Sequence, residues 1–200
     1  MKQKLIVFVR APELGKVKTR LAKAIGDQRA LAAYEEMLGR LFVNLQAVAQ
    51  VELRCTPDDA SASLRAWLQP GWQLEPQRAG DLGEKLTRAF DESFKKGFQR
   101  VVIIGSDAPE VTRQDVELAW HHLADHEVVL GPAKDGGYWL IGLHKEHPEL
   151  FEDISWSTDA VLEETLLRAR TAGLKVRRLR QLSDVDTISS WKEFLAGLQK

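Results

Sequence analysis

Directly after a strand-like stretch, the run Val101-Val102-Ile103-Ile104-Gly105-Ser106-Asp107-Ala108-Pro109 presents a carboxylate. An ionised carboxylate in such a turn is a hard oxygen donor, suited to holding Mg²⁺ or Mn²⁺ against a diphosphate. The plainer use is an aspartate bonding its own backbone. Cationic groups gather in the loop that begins at Arg10 and runs through Pro12, Gly15, Lys16, Lys18 and Thr19 to Arg20. Basic side chains there, with the free N–H groups and dipole of a helix starting near Thr19, favour a phosphate. The G-x-x-x-x-G-K-[ST] spacing of a Walker A loop is absent. Gly80-Asp81-Leu82-Gly83 forms another strand-to-helix turn, with too few glycines for a dinucleotide fingerprint. Asp135-Gly136-Gly137-Tyr138 offers a carboxylate, a backbone that a substrate can approach, and a phenol. Asp184 and Asp186 add two more carboxylates near the end of the chain.

These groups need a scaffold that brings them together. Leu5 to Val9 and Val101 to Ile104 are continuous apolar runs, as expected of strands buried on both faces of a parallel sheet. Val51–Thr56, Trp72–Glu75, Val128–Leu130 and Tyr138–Leu143 read as further strands, and basic Leu174–Leu179 as an edge strand. Asp27 is a cap for a long helix carrying a core stripe of Leu31, Tyr34, Leu38, Leu41, Phe42, Leu45 and Val48. Helices are expected after Pro57 through about Leu68, from Leu82, from Thr112 with its Thr-x-x-Asp box, after Trp156-Ser157-Thr158-Asp159, and after Ser190-x-x-Glu193. Trp156 reads as a hydrophobic staple, and the last helix should bury Trp191, Leu195 and Leu198. Asp-Gly-Gly between two strand-like runs predicts a hairpin. Strands alternating with helices give an α/β fold: a three-layer α/β/α Rossmann-like sandwich with a mostly parallel sheet. Ligands in such sheets bind outside the carboxyl ends of the strands, where all of these loops fall.

The totals narrow the classes. Two hundred residues with no repeat, low-complexity tract or linker suit one domain, residues 1–200. A net charge of −1 argues against a general nucleic-acid or anionic-membrane binder. One cysteine, Cys55, permits no internal disulfide and fits a reducing compartment. The apolar run after Met1-Lys2-Gln3-Lys4 is too short for a secretory leader, and nothing approaches a membrane span, so a soluble cytoplasmic protein is expected. The histidines are scattered, His121 and His122 on a helix, and make no zinc pattern with a single cysteine; a solvated helix face accounts for them. Gly105-Ser106-Asp107 lacks the G-x-S-x-G spacing of a nucleophile elbow.

Five motifs in order carry a resemblance over nearly the whole chain: Pro12-x-x-Gly15-Lys16-x-Lys18-Thr19-Arg20-Leu21, Gly80-Asp81-Leu82-Gly83, Gly105-Ser106-Asp107-Ala108-Pro109, Gly131-Pro132-x-x-Asp135-Gly136-Gly137-Tyr138 and Asp184-Val185-Asp186-Thr187. They resemble a bacterial family of GT-A-type glycosyltransferases known as arsenosugar-biosynthesis or radical-SAM-and-selenium-associated transferases. The chain is more distantly similar to the small nucleotidyltransferases of molybdenum-cofactor assembly and of lactate guanylylation. The resemblance implies a nucleotide-diphospho-sugar transferase fold, a nucleotide in the amino-terminal half and a divalent metal, Mg or Mn. It implies that Arg10, Lys16, Lys18 and Arg20 hold phosphates, with Gly80, Asp81 and Gly83 near the base. Asp107 and Asp186 (or Asp184) would ligate metal, and Asp135 to Tyr138 would face the acceptor. Gly105 stands where a D-x-D motif has its first aspartate, which leaves one metal carboxylate in that turn. The expected activity is glycosyl transfer from a nucleotide sugar to a small acceptor, with Asp107 and Asp135 catalytic and Asp135 a base if the stereochemistry inverts. Nucleotidyl transfer from a triphosphate to a phosphorylated acceptor is the second reading, and a nucleotide-binding module without catalysis the third.

Overall fold

The computed structural model describes residues 1–198. Its sheet has seven strands: β1 (Gln3–Arg10), β2 (Val51–Thr56), β3 (Gln73–Pro76), β4 (Arg100–Gly105), β5 (Val128–Pro132), β6 (Tyr138–Leu143) and β7 (Val176–Arg178). They lie in the order β3-β2-β1-β4-β6-β5-β7. All neighbouring pairs are parallel except those made by β6, which runs antiparallel to both β4 and β5. The chain first winds outward from β1 to β3, then returns to place β4 on β1's other side. The β1/β4 seam is therefore the point where the winding reverses, and a crevice opens at the carboxyl ends there.

Each sheet face buries one apolar set. Leu5, Val7, Val9, Leu53, Val102 and Ile104 pack with Leu38, Leu41 and Phe42 of α2 (Asp27–Leu45) and Val116, Ala119 and Trp120 of α5 (Arg113–His122). Ile6, Val101, Ile103, Ile141 and Leu143 pack with Leu86, Ala89 and Phe90 of α4 (Leu82–Lys95) and Leu162 and Ala169 of α6 (Val161–Thr171). Helices on both faces of a mostly parallel sheet give the three-layer α/β/α sandwich expected of the pattern. No described helix is long and apolar enough to cross a membrane.

The boundaries show where local signals compete. Short α1 (Thr19–Ile25) ends at Gly26, which takes the cap position of α2, so Asp27 lies inside the first turn as a charge on the dipole rather than as the cap. The helix expected from Pro57 to Leu68 shrinks to α3 (Ser61–Arg65). Beyond α6, the last helix, α7 (Ile188–Gly197), is capped by Thr187 with Ser190 as its third residue, and Phe194 is the side chain it buries. Thr187 wins because its hydroxyl reaches the Ser190 N–H at 3.2 Å. The Thr112–Asp115 box and the Asp135-Gly136-Gly137 hairpin form as expected. Trp156 is not a staple. It lies well before α6 and packs on Gly83, where an added Cβ would stand 2.9 Å from the indole nitrogen.

Strand β2 carries an unanticipated feature. Glu52 and Arg54 are fully buried, although both belong to a central strand. Glu52 accepts from Lys4 Nζ at 2.6 Å and from Arg54 Nε at 2.7 Å, and Arg54 reaches Glu92 of α4 at 2.6 Å. Burial alone would raise the Glu52 pKa, but the bonds from Lys4 and Arg54 outweigh it and hold the carboxylate below its usual range.

Candidate functional site

At the β1/β4 seam the carboxyl ends of the strands open into a cavity of about 590 Å³, within the range of small-ligand sites. Its rim holds Arg10, Lys16 and Arg20, all exposed. Among the described residues none of the three has an ion-pair partner. Three unpaired cations on one wall make an anion-attracting surface.

Lys18 behaves differently. It takes a left-handed backbone conformation, φ 47°, as the residue capping α1, which is uncommon without glycine. That turn sends its side chain inward, where Nζ donates to Asp107 Oδ1 at 2.5 Å and Asp186 Oδ1 at 2.8 Å. The ammonium also lies 5.8 Å from the centre of the Tyr34 ring. Burial opposes its charge, yet Asp107 and Asp186 together outweigh burial and raise its pKa above the usual lysine value. The two aspartates arrive from distant stretches of the chain. Asp107 follows β4, and Asp186 sits in a segment hydrogen-bonded alongside it, the Val185 N–H donating to the Asp107 carbonyl at 2.9 Å. Asp184 faces Asp107, Asp135 and Asp186; burial first and these charges next push its carboxyl up to about 7, against the pull of Lys18. The corner thus holds more negative charge than one ammonium balances.

Tyr34 fixes the seam. Its hydroxyl donates to the Arg10 carbonyl at 2.9 Å, accepts from the Arg10 N–H at 3.3 Å, and lies 3.2 Å from Ser106 Oγ. Burial pushes the phenol above its ordinary pKa, so it acts as a fixed donor. Gln77, also buried, donates its side-chain N–H to the Arg54 carbonyl at 2.9 Å and lines the same cavity. Gly105 forms part of the floor, and an added Cβ there would meet nothing within 4 Å.

The family model described as "uncharacterized protein conserved in bacteria (DUF2064)" matches residues 42–158. The chain belongs to the DUF2064 family. No curated protein matches its sequence. A crystal structure of a candidate nucleotide-diphospho-sugar transferase from Desulfovibrio desulfuricans is 34% identical to this DUF2064 chain, covering 94% of it and 84% of the other chain, with a TM-score of 0.88. CMP:2-keto-3-deoxy-manno-octonic acid synthetase in complex with CTP shares 11% identity over 100% and 99% of the two chains, with a TM-score of 0.61. Rv0371c of Mycobacterium tuberculosis in complex with manganese shares 17% over 98% and 99%, with a TM-score of 0.55. The DUF2064 chain has the nucleotide-diphospho-sugar transferase fold.

Of the residues singled out by sequence, Arg10, Lys16, Lys18, Arg20, Asp107, Asp186 and Tyr138 line this one cavity. Gly80, Asp81 and Gly83 do not, although Leu82 between them does. Asp81 caps α4 and makes a reciprocal box with Glu84, while Gly83 gives Trp156 room. Asp135 and the two glycines after it also stand outside the lining: Asp135 Oδ1 accepts from the Gly137 N–H at 3.0 Å, and Gly136, φ 91°, lies against the backbone of Asp159. Tyr138 shows the cavity its ring alone. Its hydroxyl turns into the apolar layer near Thr165, whose own hydroxyl is spent on the Val161 carbonyl, and finds no partner. Sequence reasoning assigned no site role to Tyr34, Ser106 or Gln77. Tyr34 sits on the regular apolar stripe of α2, where its hydroxyl gives no periodic signal.

Proposed function

We propose that this chain transfers a sugar from a nucleotide-sugar donor to a small acceptor, with help from a divalent metal. The observation that carries the reading is the pairing, across one cavity, of an unpartnered cationic rim with a carboxylate corner held around Lys18. In this reading Arg10, Lys16 and Arg20 bind the donor's phosphates by charge-assisted bonds. Lys18 acts as a positioning residue, fixing Asp107 and Asp186 at a set spacing. The 34% identical candidate nucleotide-diphospho-sugar transferase supports the donor class.

The corner fits a divalent cation. Its donors are carboxylate oxygens, the ligands hard cations prefer, and the charges of Asp107, Asp135 and Asp186 add to burial in raising the pKa of Asp184, a repulsion that a cation would relieve. Asp107 and Asp186 would hold the ion, and the manganese found in the similarly folded Rv0371c is consistent with that choice. When bound, the metal supplies charge neutralisation on the leaving diphosphate. The cationic rim shares that task and keeps the leaving group oriented. Asp135, exposed at the hairpin outside the cavity lining, keeps one oxygen free beyond its bond to Gly137, and in this reading it takes the acceptor's hydroxyl proton if the transfer inverts.

The test is product identity. Wild-type protein is incubated with sugar nucleotides and, separately, with nucleoside triphosphates, Mn²⁺ and a panel of hydroxyl and phosphorylated acceptors. Nucleoside diphosphate released from a sugar nucleotide, and lost in Asp107→Asn, supports this reading. Pyrophosphate released from a triphosphate instead would replace it with nucleotidyl transfer.

A further inference from the structure

A second group of metal-binding side chains lies at the opposite end of the sheet. α5 leaves the carboxyl end of β4 and returns to the amino end of β5, so its last turn is remote from the cavity. His122 is its final residue, and Asp125 and His126 follow in the turn toward β5. One ligand atom from each of these three residues lies within 4.8 Å of the other two. The arrangement is held in place. His126 Nδ1 lies 2.8 Å from Asp125 Oδ1, and the His126 ring stands nearly perpendicular to that of His122, 5.8 Å between centroids. His126 is mostly covered, while Asp125 faces solvent, so a path in is open.

We propose that His122, Asp125 and His126 bind one divalent transition-metal ion of the zinc class. Two imidazoles and a carboxylate are a borderline-soft donor set that suits Zn²⁺ better than Mg²⁺ or Ca²⁺, which favour all-oxygen shells. Zinc–nitrogen bonds of about 2.0–2.1 Å place tetrahedral ligands about 3.3 Å apart, so small side-chain rotations close the present spacing. The negative end of the α5 dipole adds to the attraction. Arg177 of β7 is the nearby cation that opposes it. With three protein ligands the fourth position is left to water, and the bound ion would pin the α5–β5 turn. The solvated-face reading of the histidines overlooked His126, which lies one helical turn beyond His122 and completes the set.

Equilibrium dialysis of the full chain against micromolar ZnCl₂ tests this, with bound zinc counted per chain. To keep the cavity's carboxylates from contributing, the Asp107→Asn/Asp186→Asn variant is dialysed in parallel. One equivalent should be retained by that variant, and zinc should raise its melting temperature. Adding His122→Ala or His126→Ala to it should weaken zinc binding tenfold or more, with helical circular dichroism unchanged because these side chains lie at a helix end. Retention of zinc with unchanged affinity in both histidine variants would overturn the proposal. So would failure of the Asp107→Asn/Asp186→Asn variant to retain any while its circular dichroism matches that of wild type.

Discussion

At the scale of single residues, Lys18 and Gly105 decide what the cavity can hold. Lys18 spends its charge inside the protein, on Asp107 and Asp186, and is not a fourth free cation of the rim. Replacing it by methionine leaves two carboxylates facing each other without a counter-charge. Because both are partly solvated, the expected loss is about 1–2 kcal/mol rather than the larger penalty of a fully buried broken pair. Urea unfolding of Lys18→Met with and without Mn²⁺ checks this, and the metal should restore part of the loss. Gly105 has an ordinary backbone and no neighbour at its Cβ position, so neither strain nor packing demands glycine. On the proposed function, what demands it is ligand space. Gly105→Leu should leave the melting temperature within a few degrees while cutting nucleotide affinity at least tenfold, about 1.4 kcal/mol. Isothermal titration with a nucleoside diphosphate reads that directly. The chemistry-bearing residue types were legible in the sequence, but Lys18's role was not. Its inward turn depends on a left-handed backbone and on two aspartates far apart in the chain.

At the scale of elements, the buried charges under β2 are the most consequential departure from a simple apolar pattern. Glu52→Ala would strand Lys4 and Arg54 without their shared partner, at a cost of about 3–5 kcal/mol measured by urea denaturation. The pH dependence follows from the lowered pKa of Glu52. A depressed carboxylate contributes stability that is complete above its unfolded value and is lost as pH falls through its folded value. Wild-type stability should therefore decline below about pH 4.5, and Glu52→Gln should show a flatter acid limb. Strand and helix periodicity located most elements because burial on one or two faces dictates it. It missed Thr187 as the cap of α7 and the early end of α3, where competing hydroxyls and loop packing decide. It also could not show why Gly83 and Gly136 are glycines: each is pressed by a segment arriving from later in the chain, Trp156 and Asp159 respectively.

At the scale of the whole molecule, the sheet order places the basic loop after β1 beside the acidic turn after β4, with the Asp184–Asp186 segment closing the corner. Strand identity was readable from sequence, and so was the rule that ligands meet the carboxyl ends. The antiparallel β5/β6 hairpin was readable from its turn, but the placement of β6 beside β4 was not, because more distant pairing partners leave no trace in a single run of apolar residues. The proposed function therefore rests on geometry gathered from three distant stretches. Titration of nucleoside diphosphates into wild-type protein, Lys16→Ala and Arg20→Ala, each with Mn²⁺, tests it most directly. Saturable one-to-one binding to wild type, weakened by about 1–3 kcal/mol in each variant, is the predicted result; absent binding, or equal affinity in all three, would contradict it.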